Sequence, residues 1–208
     1  YGLRPDSGGP GRWRGGTGVV YTIRILKDDC AVLARGLERF FFVPWGAAGG
    51  RCAARCRVVL NIGRPDERDI FRLDMLEIAR GDTISLMTPG GGGFGDPFTR
   101  PLEEVLHDVE RGFVSPEAAR RDYGVVIDAG GALDEAASAA LRAAGADRPA
   151  EAFDFGDSRR QCESVFCDAL VTRLNAALMR LPASARGRQR RAIYEAVMPE
   201  LADPAGFD

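Results

Sequence analysis

Lysine is nearly missing from this 208-residue chain: Lys27 is the only one, and the other basic residues are arginines. Lysine chemistry, whether Schiff base or general base, therefore has almost no candidate, and a GC-rich coding bias accounts for the skew. Histidine is as scarce, with His107 alone. No apolar run approaches the ~18 residues that a membrane-spanning helix needs. No N-terminal pattern reads as a signal peptide. Excess charge of one sign is lacking too: the formal net charge is −2, without the basic face that marks a nucleic-acid binder. An even cysteine count is also absent. Cys30, Cys52, Cys56, Cys162 and Cys167 make five, which argues against a disulfide framework and for a reducing, cytoplasmic setting. What the chain does have is 45% hydrophobic residues, enough for a core, and 26 glycines, most of them before residue 100. It opens on Tyr1 and runs straight into a glycine-rich stretch, as expected of a piece of something longer.

The first hundred residues read as β structure. In 18–27, Val19, Tyr21, Ile23 and Ile25 alternate with Val20, Thr22, Arg24 and Leu26, the period of two of a strand. Further strands are expected at 30–35, 39–43, 57–61, 69–73 and 83–87, separated by Gly, Pro, Asp and Asn turns. After Pro97 the period lengthens. Leu102, Val105, Leu106 and Val109 share one face of a helix over 101–111 that is followed by Gly112. Ser115-Pro116-Glu117 opens a second helix, with a capping serine and proline in the first turn. A short strand at 124–128 and a helix over 134–144 follow. The fold class is thus α+β: a mostly antiparallel β layer with glycine-rich loops, then a helical half. The expected organisation is a unit over 1–147, β-rich in 1–97 and mixed helical in 98–147, a linker at 148–157, and a helical tail over 158–208 built as a helix pair. In that pair one long helix starts near Ser158 and ends at Pro182, and another spans 184–197. Arg186, Arg188, Arg190 and Arg191 crowd the start of the last helix, against its dipole. They read as a solvated face or as a docking surface for an acidic partner.

Three glycine segments stand out. Thr88-Pro89-Gly90-Gly91-Gly92-Gly93-Phe94-Gly95-Asp96-Pro97 contains Gly90-x-Gly92-x-x-Gly95. A dinucleotide loop would lead directly into a helix, but Asp96-Pro97 intervenes, and no Gly-Lys-Ser/Thr follows for a P-loop. Two readings stay open. Gly90, Gly91, Gly92, Gly93 and Gly95 allow backbone conformations closed to other residues and close packing, or they line a ligand with their N–H groups. In Ser7–Gly18, Arg12 and Arg14 flank Trp13, either anchoring a turn or clamping a carboxylate or phosphate. Trp45 lies between Pro44 and Gly46, a loop tryptophan suited to packing. Cys52 and Cys56 are half of a zinc site, which takes four ligands. Cys162 and Cys167 fall on different faces of a helix, and nothing orients His107 toward a cysteine. No acid and base pair is singled out. From the residues alone, no catalytic side chain is assigned.

Taken in order, these segments resemble the C-terminal part of the hydantoinase B/oxoprolinase family. The resemblance runs from Ser7-Gly8-Gly9-Pro10-Gly11-Arg12-Trp13-Arg14-Gly15-Gly16 through Val43–Gly50, Arg80-Gly81-Asp82 and the tetraglycine segment to Ser115–Val126, over about residues 1–145. It implies a fragment of a B-type subunit of an ATP-dependent amidohydrolase that opens hydantoins, 5-oxoproline or lactams. The implied partners are a hydantoinase A-like ATPase subunit with an actin-like fold and the N-terminal B-type portion. Phosphorylation of the amide oxygen, which makes it a leaving group, is the chemistry the resemblance implies. ATP and a divalent metal are expected for the whole complex and not for this chain alone, no metal ligands are assigned, and neither membrane nor nucleic acid is expected as a partner. Related complexes carboxylate ketones, and a non-catalytic assembly module is the other alternative. One departure is Arg51-Cys52-Ala53-Ala54-Arg55-Cys56, where family members carry Pro-Gly-type turn residues. On the resemblance, Arg12, Trp13, Arg14, Trp45, the five glycines and Asp96 are candidate substrate-binding or interface elements.

Overall fold

The computed structural model describes residues 1–33, 39–70, 75–146 and 151–198. They form two compact units, Tyr1–Gly156 and Asp157–Asp208. The combination of an antiparallel sheet followed by helices is α+β, as the sequence predicts.

The first unit is founded on a five-stranded antiparallel sheet. Its strands are β1 (Gly2–Leu3), β2 (Val19–Arg24), β5 (Arg57–Leu60), β6 (Arg68–Asp69) and β8 (Thr83–Met87), in the order β1-β2-β8-β5-β6. Register follows the side-chain pattern. Val58 pairs with Leu86 and Leu60 with Ile84, which puts four apolar residues on one face. A ribbon of β3 (Cys30–Val32) and β7 (Leu76–Ile78) covers them, with Ile25, Phe40 and Ile70 around it. On the opposite face Ser85 is buried and shares a 2.8 Å hydrogen bond with the Thr22 hydroxyl. Both edge strands have only two residues, which limits strand addition.

Several expectations change here. No strand forms over 39–43: Arg39 takes a left-handed φ of 71° and Val43 turns into the core. The strand expected at 57–61 stops at Leu60 because Asn61 is left-handed, φ 54°, a conformation Asn tolerates. Buried Asn61 then uses its whole amide. Oδ1 accepts from Thr83 N at 2.8 Å, and Nδ2 donates to Asp66 at 2.6 Å and Asp82 at 3.0 Å. The strand expected at 30–35 is present as β3, with 34–35 outside the described residues. Of the one expected at 69–73, Asp69 ends β6 and 71–73 lie outside the described residues.

A 3-10 turn at Pro97–Thr99 leads from the sheet into the helices, and the Asp96 carboxylate caps it by accepting from Phe98 N at 2.9 Å. Helix α1 is Leu102–Glu110 and α2 is Pro116–Tyr123. The Ser115 hydroxyl caps α2 by accepting from Ala118 N at 3.1 Å, and Gly124, φ 62°, ends it. The strand expected at 124–128 shortens to β9 (Val126–Ile127), which pairs with β10 (Leu133–Asp134). Asp134 caps α3 (Glu135–Ala144) through Ala137 N at 2.9 Å. Val105, Val114, Ala118, Ala119, Tyr123 and Val125 form the core between these helices.

The segment expected as a linker at 148–157 is in part built into the first unit. β11 (Phe153–Asp154) pairs antiparallel with β4 (Gly46–Ala47). Ala48 N donates to Ala152 O, and the Asp154 carboxylate accepts from Cys52 N. The second unit has α4 (Asp157–Val165), α5 (Asp168–Met179) and α6 (Ala183–Val197), three helices where the sequence predicts two. The long helix breaks because Cys167 takes an extended ψ of 159° before Asp168 starts a new helix. The break turns Phe166 inward, where it is buried with its ring 4.4 Å from that of Tyr194. In the basic stretch, Arg186 donates to the carbonyls of Met179, at the end of α5, and Leu181, just past it. Arg190 binds Asn175, and Arg191 pairs with Glu195.

Candidate functional site

The three glycine segments, distant in sequence, interlock into one knot beside the sheet. The tetraglycine segment runs through its centre. On one side Gly91 N donates to Gly16 O, Gly9 N to Gly91 O, and Gly90 N to Ser7 O. On the other, Gly93 N donates to Arg51 O and Ala47 N to Gly93 O, both at 2.9 Å, and Gly95 N to Ala47 O at 3.0 Å. Phe94 and Trp13 exchange both of their backbone hydrogen bonds, at 3.0 and 2.9 Å. Ser7, fully buried, closes the knot: its hydroxyl donates to Arg4 O and accepts from Gly18 N.

Glycine is required here because backbone packs directly on backbone. A methyl carbon built at Gly92 would fall on the carbonyl oxygen of Trp45, at Gly93 on that of Pro10, and at Gly15 on that of Gly91. Special φ angles are not the reason at 90–93. Within the tetraglycine segment only Gly95 is left-handed, φ 76°. The N–H groups of Gly90, Gly91, Gly93, Phe94 and Gly95 are already donated to carbonyls inside the knot. Of the two readings of this loop, its geometry is that of close packing, and those five groups do not converge on an anion.

Arg14 faces inward. Its Nε and Nη2 grip the buried Asp108 carboxylate at 2.9 and 3.1 Å, and Nη1 donates to Gly15 O. Arg100 Nη2 reaches the same carboxylate at 3.1 Å, and Arg100 Nη1 donates to Arg12 O. One carboxylate on α1 thus holds two guanidiniums and fastens the first glycine segment to the helical half. The forked Arg14 contact is the stronger kind of pair. Arg12 stacks its guanidinium 5.3 Å from the Trp13 ring centre, and its Nη1 is buried without a hydrogen-bond partner, as is Arg100 Nε. Asp108 and Arg100 are not apparent from sequence, since a single acid on a helix carries no signal. Tyr123, also near this cluster, is buried, and burial holds its phenol protonated far above its ordinary range.

The outer face of the knot is aromatic. Paired residues in a ladder project to the same side. Trp13 pairs with Phe94, Phe94 with Ala47, and Ala47 with Phe153. Trp45, two residues before Ala47, joins this side, its ring 6.1 Å from that of Phe155, which stacks on Phe153 at 5.8 Å. Trp13, Phe94, Phe153 and Trp45 are 59%, 56%, 53% and 50% exposed. Thus Trp13 and Trp45, from separate loops, lie on the same side of the knot, while Asp96 caps the 3-10 turn. Sequence reasoning misses Phe153 and Phe155, although their alternation is a strand signal.

Among the described residues no three His, Cys, Asp or Glu side chains gather as a metal site, and no helix is long and apolar enough to cross a membrane. None of the five cysteines is in a disulfide.

Residues 1–97, the stretch that holds all three glycine segments, match the hydantoinase B/oxoprolinase family. Through them the chain belongs to that family. It is 40% identical over 151 residues to the beta chain of the caprolactamase of Pseudomonas jessenii, covering 69% of this chain and 25% of that protein. It is 34% identical over 130 residues to the B-type component of a putative D-/L-hydantoinase of Pseudomonas sp. (strain NS671), covering 61% of this chain and 22% of the relative. The crystal structure of the ATP-dependent caprolactamase from Pseudomonas jessenii superposes with a TM-score of 0.58 at 39% identity, over 69% of this chain and 25% of that one. A nucleotide-free acetone carboxylase shares the fold at a TM-score of 0.57 and 21% identity, over 98% of this chain and 30% of that one. The chain therefore spans about a quarter of the length of the relatives it matches.

Proposed function

We propose that this chain is part of the B-type subunit of an ATP-dependent enzyme that opens cyclic amides such as lactams, hydantoins or 5-oxoproline. Its partners are a hydantoinase A-like ATPase subunit and the remaining B-type polypeptide. ATP and a divalent metal belong to the whole complex. The observation that carries this reading is the coincidence of the glycine knot with the family match: all three interlocking segments lie in residues 1–97. In this reading the chain supplies a rigid wall, and the reacting groups come from elsewhere in the assembly. The odd cysteine count fits a cytoplasmic enzyme. A second reading, an assembly module with no catalysis of its own, is favoured by the inward commitment of Arg14 and of the loop N–H groups.

The test is reconstitution. The chain, joined to the rest of a B-type subunit and co-expressed with an A-type subunit, is assayed for ADP release and ring-opened product with caprolactam, hydantoin and 5-oxoproline. ATP-dependent opening of one of them is expected. Turnover of acetone that requires bicarbonate would move the protein to the ketone carboxylases. No ATP-dependent turnover with any of these substrates refutes the enzyme reading.

A further inference from the structure

We infer that the aromatic face of the glycine knot, formed by Trp13, Phe94, Trp45 and Phe153, is the seat on which the remaining B-type polypeptide docks. The inference rests on the B-type reading above. Four rings at 50–59% exposure leave on the order of 450 Å² of aromatic surface in water, at ~200 Å² per ring. That is the size of the largest patch on an ordinary monomer, which is often functional. One cyclic amide would cover only one or two of the rings. Two copies of the chain face to face would bury about 900 Å² in total, short of the ~1,200–2,000 Å² of a stable interface. A polypeptide tethered to the same subunit needs less area, because tethering supplies a high effective concentration. The relatives carry about three times as much chain again outside the matched stretch.

The geometry suits such a seat. The rings are fixed from beneath by the backbone ladder Trp13, Phe94, Ala47, Phe153, so little ordering entropy is lost on docking. The chain's only two tryptophans both lie here, which makes the face easy to read. Hydroxyl-radical footprinting with mass spectrometry compares the isolated chain with a chimera in which it replaces the matching quarter of the Pseudomonas jessenii caprolactamase beta chain. At least fivefold slower oxidation of Trp13, Trp45, Phe94 and Phe153 is expected in the chimera. The double variant Trp13→Ser/Phe153→Ser should leave the thermal midpoint of the isolated chain within about 2 °C and lower that of the chimera by more than 5 °C. A soluble chimera whose four rings oxidise at the isolated rate overturns the inference and leaves the B-type reading standing. Protection that appears in the isolated chain between 1 and 100 µM assigns the face to a second copy, and protection that needs an added A-type subunit assigns it to that subunit; each overturns the inference. A chimera that does not fold counts against the B-type reading itself, and the inference falls with it.

Discussion

Alanine at position 92 would put a methyl carbon onto the carbonyl oxygen of Trp45, with Trp45 C and Gly46 N next nearest. All three are backbone atoms, so no side chain can swing away. Reaching an ordinary contact of about 3.5 Å takes a backbone shift of more than an ångström between the tetraglycine segment and the strand Gly46–Ala47. The bonds that join them are Ala47 N to Gly93 O at 2.9 Å and Gly95 N to Ala47 O at 3.0 Å. Unmaking a buried hydrogen bond costs about 1–3 kcal/mol, so two cost about 4 kcal/mol. Against a total stability of about 5–15 kcal/mol that is severe. It corresponds to a fall in thermal midpoint of roughly 8–16 °C for a domain of this size.

The neighbouring glycine is the control. A methyl at Gly91 meets Gly16 N at 3.3 Å and nothing else closer than 3.8 Å. A few tenths of an ångström relieve that, and Gly91 is not left-handed. Gly91→Ala should therefore stay within about 1 kcal/mol of the parent, helped by the reduced freedom of its unfolded chain. Thermal unfolding followed by far-ultraviolet circular dichroism measures both variants. Equal loss in the two, or loss in neither, would refute close backbone approach as the reason for these glycines. Gly92→Val should abolish activity of the reconstituted enzyme by the same clash.

Asp108→Ala strands Arg14 and Arg100 in the interior and should cost about 3–5 kcal/mol, read by urea unfolding; Asp108→Ala with Arg14→Met should recover part of it. Burial raises the Cys56 thiol above its ordinary 9.0, with Arg4 pulling the other way. The folded chain thus holds that proton more tightly. Its contribution to stability is complete below pH 9 and is lost as pH rises through the raised value, so the urea midpoint should fall above pH 9 and fall less in Cys56→Val. At pH 8, iodoacetamide should modify exposed Cys167 at least tenfold faster than Cys56. Phe166→Ala empties the Tyr194 contact and should cost about 3–5 kcal/mol, seen as early loss of helical signal from residues 157–198.

Legibility followed the range of the forces involved. Strand 83–87, helix α1, the Ser115 cap of α2 and the span of helix α3 are set by neighbours a few residues away, and the sequence predicts them closely. Elements fixed by distant partners were hidden. β4 and β11 have two residues each and exist only because 46–47 and 153–154 meet across a hundred positions. The break at Cys167 was hidden for the same reason, since it answers to Tyr194. In the candidate site, the glycines and both tryptophans were visible as a pattern, while the role of each depended on which backbone lay across from it.

That dependence also explains why glycine, arginine and aromatic residues share these loops. A backbone packed on backbone has few side chains in its interior, so it buries little apolar area and gains little of the usual ~25 cal/mol per Å². Its cohesion has to come from hydrogen bonds, each modest in net value, and from anchors at the rim. Asp108 with its two guanidiniums is one anchor, on the α1 side. The outer side carries the half-exposed ladder of Trp13, Phe94, Ala47 and Phe153. Covering those rings would add hydrophobic stabilisation to that side of the knot. A knot held from both sides would be more rigid than the isolated chain, and hydrogen exchange at Gly93 N and Gly95 N should slow in the chimera even where the ladder itself is unchanged.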